Sequence, residues 1–171
     1  ATVALAHGLL IAAEEVVTAN SIAEELGLDE KTGQITSTET EIIKGRVTYG
    51  TAKMIKEGDD DFDIKLLRDG NEYIAEIPAF SKSKDLDIRF VVGTSNYLGD
   101  QASVDVRDAL VGLIRNFEGQ RFVIEGHASD EGSSSYNMDL SRRRVERVEQ
   151  FLLDQGVARN RTFASYFGEE V

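Results

Sequence analysis

A chain of 171 residues with 31 acidic against 19 basic side chains carries a formal net charge of −12, so its long-range field repels phosphate backbones and anionic lipid surfaces. Nucleic acid is not an expected partner, and the 41% hydrophobic and 29% charged content is that of a folded chain able to bury a real core. The lack of cysteine excludes disulfides, thiolate metal sites and cysteine nucleophiles, and the two histidines, His7 and His127, have no metal-ligand spacing around them, so neither a metal nor a cofactor is expected.

The first thirteen residues are mostly apolar. They lack a cationic leader region and are shorter than the ~20 residues a membrane span requires. They are read as the start of a mature or trimmed chain, in an amphipathic or core helix, with no direct membrane span expected. From Val3 to Leu28, Leu9, Ala13, Val16, Val17, Ile22, Ala23 and Leu26 recur at three- and four-residue steps, which is helical periodicity ended by Gly27. Residues 34–58 suit a short helix or short strands equally. The run Asp59, Asp60, Asp61 reads as a solvated loop.

Phe62, Ile64 and Leu66 then alternate with polar residues, Asp69, Gly70 and Asn71 supply turn chemistry, and Tyr73 to Ile77 resume an extended pattern, a β-hairpin signature. Pro78 is expected to end it. Residues 81–84 look like a connector, and a boundary is placed there, dividing an N-terminal helical and hairpin region (1–84) from a second unit (85–171). In the second unit a strand is expected over Leu86–Val92, a loop from Gly93 to Gly99, a helix over Gln101–Phe117, a strand over Arg121–Gly126, a helix from about Asn137 to Gln155, and a strand over Thr162–Phe167. This alternation predicts an α/β sandwich with helices packed on one sheet.

Residues 125–145 read Glu-Gly-His-Ala-Ser-Asp-Glu-Gly-Ser-Ser-Ser-Tyr-Asn-Met-Asp-Leu-Ser-Arg-Arg-Arg-Val. This closely resembles the signature of OmpA-like domains, with Gly126, His127, Gly132, Tyr136, Asn137, Leu140, Ser141, Arg143 and Arg144 in register. The family includes porin tails, peptidoglycan-associated lipoproteins and flagellar stator subunits. The resemblance covers about half the chain and implies a βαβαβ domain that holds the peptide stem of peptidoglycan without cutting it, in the periplasm or cell envelope of a Gram-negative-type bacterium. Other envelope proteins are further candidate partners.

In the family an Asp in the loop after the strand grips the ammonium of diaminopimelate, and an arginine of the following helix grips a carboxylate. Arg144 holds the arginine position. Ser129 occupies the Asp position and the acid stands one place later, as Asp130. A guanidinium binds a carboxylate bidentately, whereas serine offers an ammonium only a neutral hydrogen bond, about half as strong as a charge-assisted one. The implied ligand set is therefore Arg144, Asp130, Ser129, Asn137 and His127. The alternative is an OmpA-like domain that has given up wall binding for a structural or protein-interaction role.

Simpler roles stand beside these. Arg144 lies on the helix row Leu140, Arg144, Val148, Leu152 and is expected to have a partner, either a ligand carboxylate or an internal ion pair with Glu125, Asp130 or Glu131. Arg142 and Arg143 suit a solvated face. His127 is read as a polar loop contact, since nothing acidic is adjacent in sequence, Gly126 and Gly132 as backbone-conformation positions, Asn137 as a helix cap or a pocket residue, and Tyr136 as core. Ser133 to Ser135 form no nucleophile elbow, and no pair of carboxylates is singled out, so an enzyme is not expected. The family pattern continues past the Gly-Glu of Gly168 and Glu169 into another helix and strand. With the sequence ending at Val171, either the chain is truncated or an N-terminal segment fills the open sheet position, the 62–77 hairpin being the obvious candidate.

Overall fold

A computed structural model describes residues 17–29, 31, 40–48, 65–69, 72–80, 84–128 and 132–168. Helix α1 (Ala19–Glu25) opens at Thr18, whose hydroxyl accepts the backbone N–H of Ser21 while the Ser21 hydroxyl accepts that of Thr18. This reciprocal cap starts the helix, so the continuous helix expected from Val3 is broken at Thr18; its residues before Val17 lie outside the described ones. Strands β1 (Thr40–Val47), β2 (Lys65–Asp69) and β3 (Glu72–Phe80) follow, then helix α2 (Gln101–Asn116), β4 (Phe122–His127), helix α3 (Ser134–Asp154), a 3-10 turn at Arg159–Arg161, and β5 (Thr162–Gly168).

The five strands make one mixed sheet in the order β2-β3-β1-β5-β4. Within the described residues the hairpin strands pair as expected, β2 antiparallel with β3 from Lys65↔Glu76 to Asp69↔Glu72, while Phe62, Ile64, Gly70 and Asn71 lie outside them. Pro78 does not end it: β3 runs on to Phe80 and pairs with β1 through Ile42↔Pro78. Among the described residues the β2 ladder reaches only Lys65↔Glu76, and Pro78 is paired through β1 alone, a place where a missing N–H is tolerated. The position beside β5 is taken by β1, through Arg46↔Tyr166 and Val47↔Ser165, and not by the hairpin, which sits outboard on β1. The segment that periodicity left open between helix and strand is thus the one that joins the two halves of the sheet.

Leu86, Ile88 and Phe90 pack against the core while Asp87 and Arg89 face out, the alternation of a strand. Yet 86–92 is not a strand; its sheet-like pairing among the described residues is the isolated bridge Phe90↔Tyr97. Alternating burial requires only an extended backbone against a flat apolar surface, so the period of two was legible and the missing ladder was not.

Helix α2 buries Val106, Ala109, Leu110, Leu113 and Ile114, and α3 buries Leu140, Val145, Val148 and Leu152, each a stripe at three- and four-residue steps. These stripes meet Ile22 and Ala23 of α1 in one core, with Val145 joining Ala164 and Tyr166 on β5. Helix α3 begins three residues before the expected Asn137, because the Ser133 hydroxyl accepts the Tyr136 N–H and caps it. Parallel pairing of β4 with β5, joined by α3, completes the mixed α/β architecture. No described helix is long and apolar enough to cross a membrane.

Candidate ligand-binding site

Where α3 meets the end of β4, helix and strand approach closely. A Cβ on Gly126 would stand 2.7 Å from the Ser141 carbonyl oxygen and 2.8 Å from the Val145 Cβ. The glycine is thus required by contact with α3, a correction to its reading as a backbone-conformation position. Gly132 does have that role, at φ +91°. Ser141 is fully buried; its hydroxyl donates to the Met138 carbonyl and accepts the Gly168 N–H, both at 2.8 Å, tying α3 to the end of β5. The Ala128 N–H donates to the Gly168 carbonyl at 2.9 Å, so the chain leaving β4 is fixed against β5 before it turns toward α3.

Arg144 projects from the third turn of α3 toward the 91–99 loop. Its Nε donates to the Thr94 carbonyl at 2.9 Å, and its guanidinium carbon lies 5.0 Å from the centre of the Phe90 ring. Of the anticipated ion-pair partners, Glu125 lies beside His127 and not Arg144, while Asp130 and Glu131 lie outside the described residues; among the described residues the partners of Arg144 are a carbonyl and an aromatic face. Burial pulls the guanidinium below its ordinary pKa, with Tyr136 acting in the opposite sense, and it stays charged at neutral pH. With Nε occupied, the remaining N–H groups are the ones available to an anion.

Tyr136 is 45% exposed and not core; it lies over Gly132, with its hydroxyl near Gly93, so it spans the loops on either side of Arg144. Val91, Val92 and Leu98 are also exposed, giving this rim an apolar character. Asn137 is 1% exposed, inside the first turns of α3, and the cap is Ser133 instead. His127 stacks on Phe167 at 5.0 Å between ring centres, and its Nε2 lies 3.6 Å from a Glu125 carboxylate oxygen. An acid is therefore beside it after all. Adjacency in sequence was the wrong criterion, since residues two apart on a strand share a face. Ser129 and Asp130 lie outside the described residues.

Arg142 and Arg143 form the expected outer face, both held by Asp139 at 2.5 and 2.8 Å, with Glu146 completing the Arg142 pair at 3.2 Å. Hydrogen bonds from Arg142 and then Arg143 hold the Asp139 carboxyl below its usual range. A cleft of about 350 Å³ opens on that side, among Arg46, Ser134, Ser135, Met138, Asp139, Arg142 and Tyr166. Of the anticipated site residues that are described, Arg144, Asn137 and His127, none lines it. Two residues along a helix amount to about 200° of rotation, so Arg142 and Arg144 face nearly opposite ways.

Sequence reasoning missed the surroundings of Arg144. Tyr97 stacks on Phe90 at 5.2 Å, the Arg107 guanidinium lies 3.9 Å from the Tyr97 ring centre, and that of Arg147 lies 5.2 Å from it. The Tyr97 hydroxyl donates to the Arg147 carbonyl at 3.0 Å, pinning the loop to α3. The three-residue step from Arg144 to Arg147 was a usable signal. The approach of Arg107 from α2 was not, being purely tertiary. Among the described residues no cluster of His, Asp and Glu suited to a metal occurs.

Residues 89–171 match the family model described as OmpA family. A peptidoglycan-associated lipoprotein from Pseudomonas aeruginosa is 40% identical over 52 residues, 30% of this chain and 31% of that protein. Outer membrane porin F from Pseudomonas fluorescens is 32% identical over 85 residues, 50% of this chain and 26% of that protein. The matched segments thus span about a third or less of these relatives' own length. The solved structure of an outer membrane protein from Borrelia burgdorferi B31 aligns with a TM-score of 0.43 at 19% identity, over 63% of this chain and 86% of that one, too distant a likeness to bear on function. Residues 89–171, which carry Arg144 and the loop before α3, are therefore an OmpA-family domain.

Proposed function

We propose that this domain attaches an envelope protein or assembly to the cell wall by holding the diaminopimelate stem of peptidoglycan, without cleaving it. The observation that carries the reading is the state of Arg144. It is half-buried and fixed through Nε to the Thr94 carbonyl, and no described carboxylate reaches it. A guanidinium held this way is ready to accept a ligand carboxylate on its outer edge, with little further ordering required. His127 at the strand end and Ser129 and Asp130 in the loop after it are the proposed companions on the ammonium side, while the buried Asn137 supports the start of α3 behind them. The relatives named for peptidoglycan association and the porin relative support a location in the periplasm or envelope of a Gram-negative-type bacterium.

A second reading is favoured by one residue. Ser129 stands where the family carries its ammonium-binding Asp, and a domain so altered serves as a structural or protein-interaction module. Co-sedimentation of the purified chain with sacculi separates the two. Wall binding predicts retention that falls at least tenfold in Arg144→Ala and rises in Ser129→Asp. No retention of the unaltered chain favours the second reading, and release of soluble wall fragments contradicts both.

A further inference from the structure

Arg107, Arg144 and Arg147 form a group that has no carboxylate within ion-pair distance among the described residues. Arg89, Arg142 and Arg143 each have a carboxylate within ion-pair distance, and Arg115 and Arg161 are spent on backbone carbonyls at helix ends. Arg107, Arg144 and Arg147 rest on aromatic faces with no described carboxylate in reach, and Arg107 and Arg144 give Nε to a backbone carbonyl, of Ser103 at 3.4 Å and of Thr94 at 2.9 Å. Arg144 and Arg147 are neighbours on one face of α3, and Arg107 meets Arg147 at the ring of Tyr97, which itself stacks on the Phe90 beneath Arg144. In a chain with 31 acidic residues, three adjoining guanidiniums without acidic partners among the described residues are a local reversal of sign.

Stacking on a ring occupies the flat face of a guanidinium and leaves its N–H edge free to bind an anion. We propose that Arg107 and Arg147 form a second anion subsite beside Arg144, which receives another carboxylate of the same stem peptide. This rests on the wall-binding reading above and extends it from one carboxylate to two. The occupant is a short peptide and not an extended polyanion. A net charge of −12 repels nucleic acid or an anionic membrane over a large area, whereas a small ligand feels only the charges within about 8 Å. In the stem, the γ-linked glutamyl residue next to diaminopimelate leaves its α-carboxylate free, a second anion a few bonds from the first.

Calorimetry on the full chain with two probes tests this: free meso-diaminopimelate, and the tetrapeptide alanyl-γ-glutamyl-diaminopimelyl-alanine. The tetrapeptide binds more tightly, and Arg107→Gln with Arg147→Gln reduces that advantage about fivefold, the size expected of partly exposed ion pairs. Arg107→Lys with Arg147→Lys restores part of it, because charge is kept while stacking is lost. Equal losses for both probes in the glutamine variant overturn the second subsite and leave Arg144 untouched. Equal losses in the glutamine and lysine variants, accompanied by a lowered melting temperature, assign both arginines to holding Tyr97 and overturn it as well. If the unaltered chain binds neither probe, the wall-binding reading itself fails and the subsite with it.

Discussion

Ser141 and Arg144 stand three residues apart on α3, and their environments assign them different work. The Ser141 hydroxyl is fully buried and accepts the Gly168 N–H at 2.8 Å. Ser141→Ala leaves that donor without a partner, at a cost of about 1–3 kcal/mol. Denaturant unfolding should show this loss with an unchanged m-value, while wall retention persists under native conditions. Arg144 was legible in the sequence as the arginine of a known pattern, and its place beside an apolar helix face followed from the row Leu140, Val148, Leu152. Its actual partners were not legible. The Thr94 carbonyl is a backbone group that any residue supplies, and Phe90 lies 54 positions away by number, so neither leaves a mark near residue 144. His127 shows the opposite failure, since Glu125 was in plain view and only the strand geometry made it a neighbour.

At the level of elements, caps decided the boundaries. Asp100 opens α2 by accepting the Ser103 N–H, and hydrogen bonding from Ser103 holds its carboxyl below the usual range. A carboxyl whose folded-state pKa is depressed contributes stability that is fully present above its unfolded value and is lost as the pH falls through the folded one. Stability should therefore decline below the ordinary carboxylate range, and Asp100→Asn should flatten part of that decline. Thermal melts across an acid pH series, on both proteins, provide the check; parallel curves would count against the Asp100 contribution. Helices α2 and α3 were readable because their apolar stripes recur at three- and four-residue steps over more than two turns each. Strand β1 was not, because Ile42, Ile43 and Val47 fit both periods and only pairing with β3 and β5 selects the extended form.

Across the whole molecule, the sheet runs without a break from the hairpin at one edge to β4 at the other. Strand β1 covers one side of β5, and Ile22 and Ala23 of α1 sit in the same core as Leu113 and Leu152. Residues 85–171 alone should therefore be less stable than the full chain. Loss of Ile22 by itself withdraws about 1.5–3 kcal/mol of burial, and the bared edge of β5 invites association. Circular dichroism melts with size-exclusion chromatography should report a lower transition and larger species for the fragment, whereas equal transitions would mean that the N-terminal elements are dispensable to the fold. The ordering of the 91–99 loop, α2 and α3 around Arg144 is a property of this assembled core, so binding is best read on the intact chain. The most direct measurement follows the arginine Nε–H resonances by NMR during titration with meso-diaminopimelate. The Arg144 resonance should shift and saturate while that of Arg142, on the opposite face of α3, stays in place; an unmoved Arg144, or a response at Arg142 instead, would contradict the assignment of Arg144 as the anion clamp.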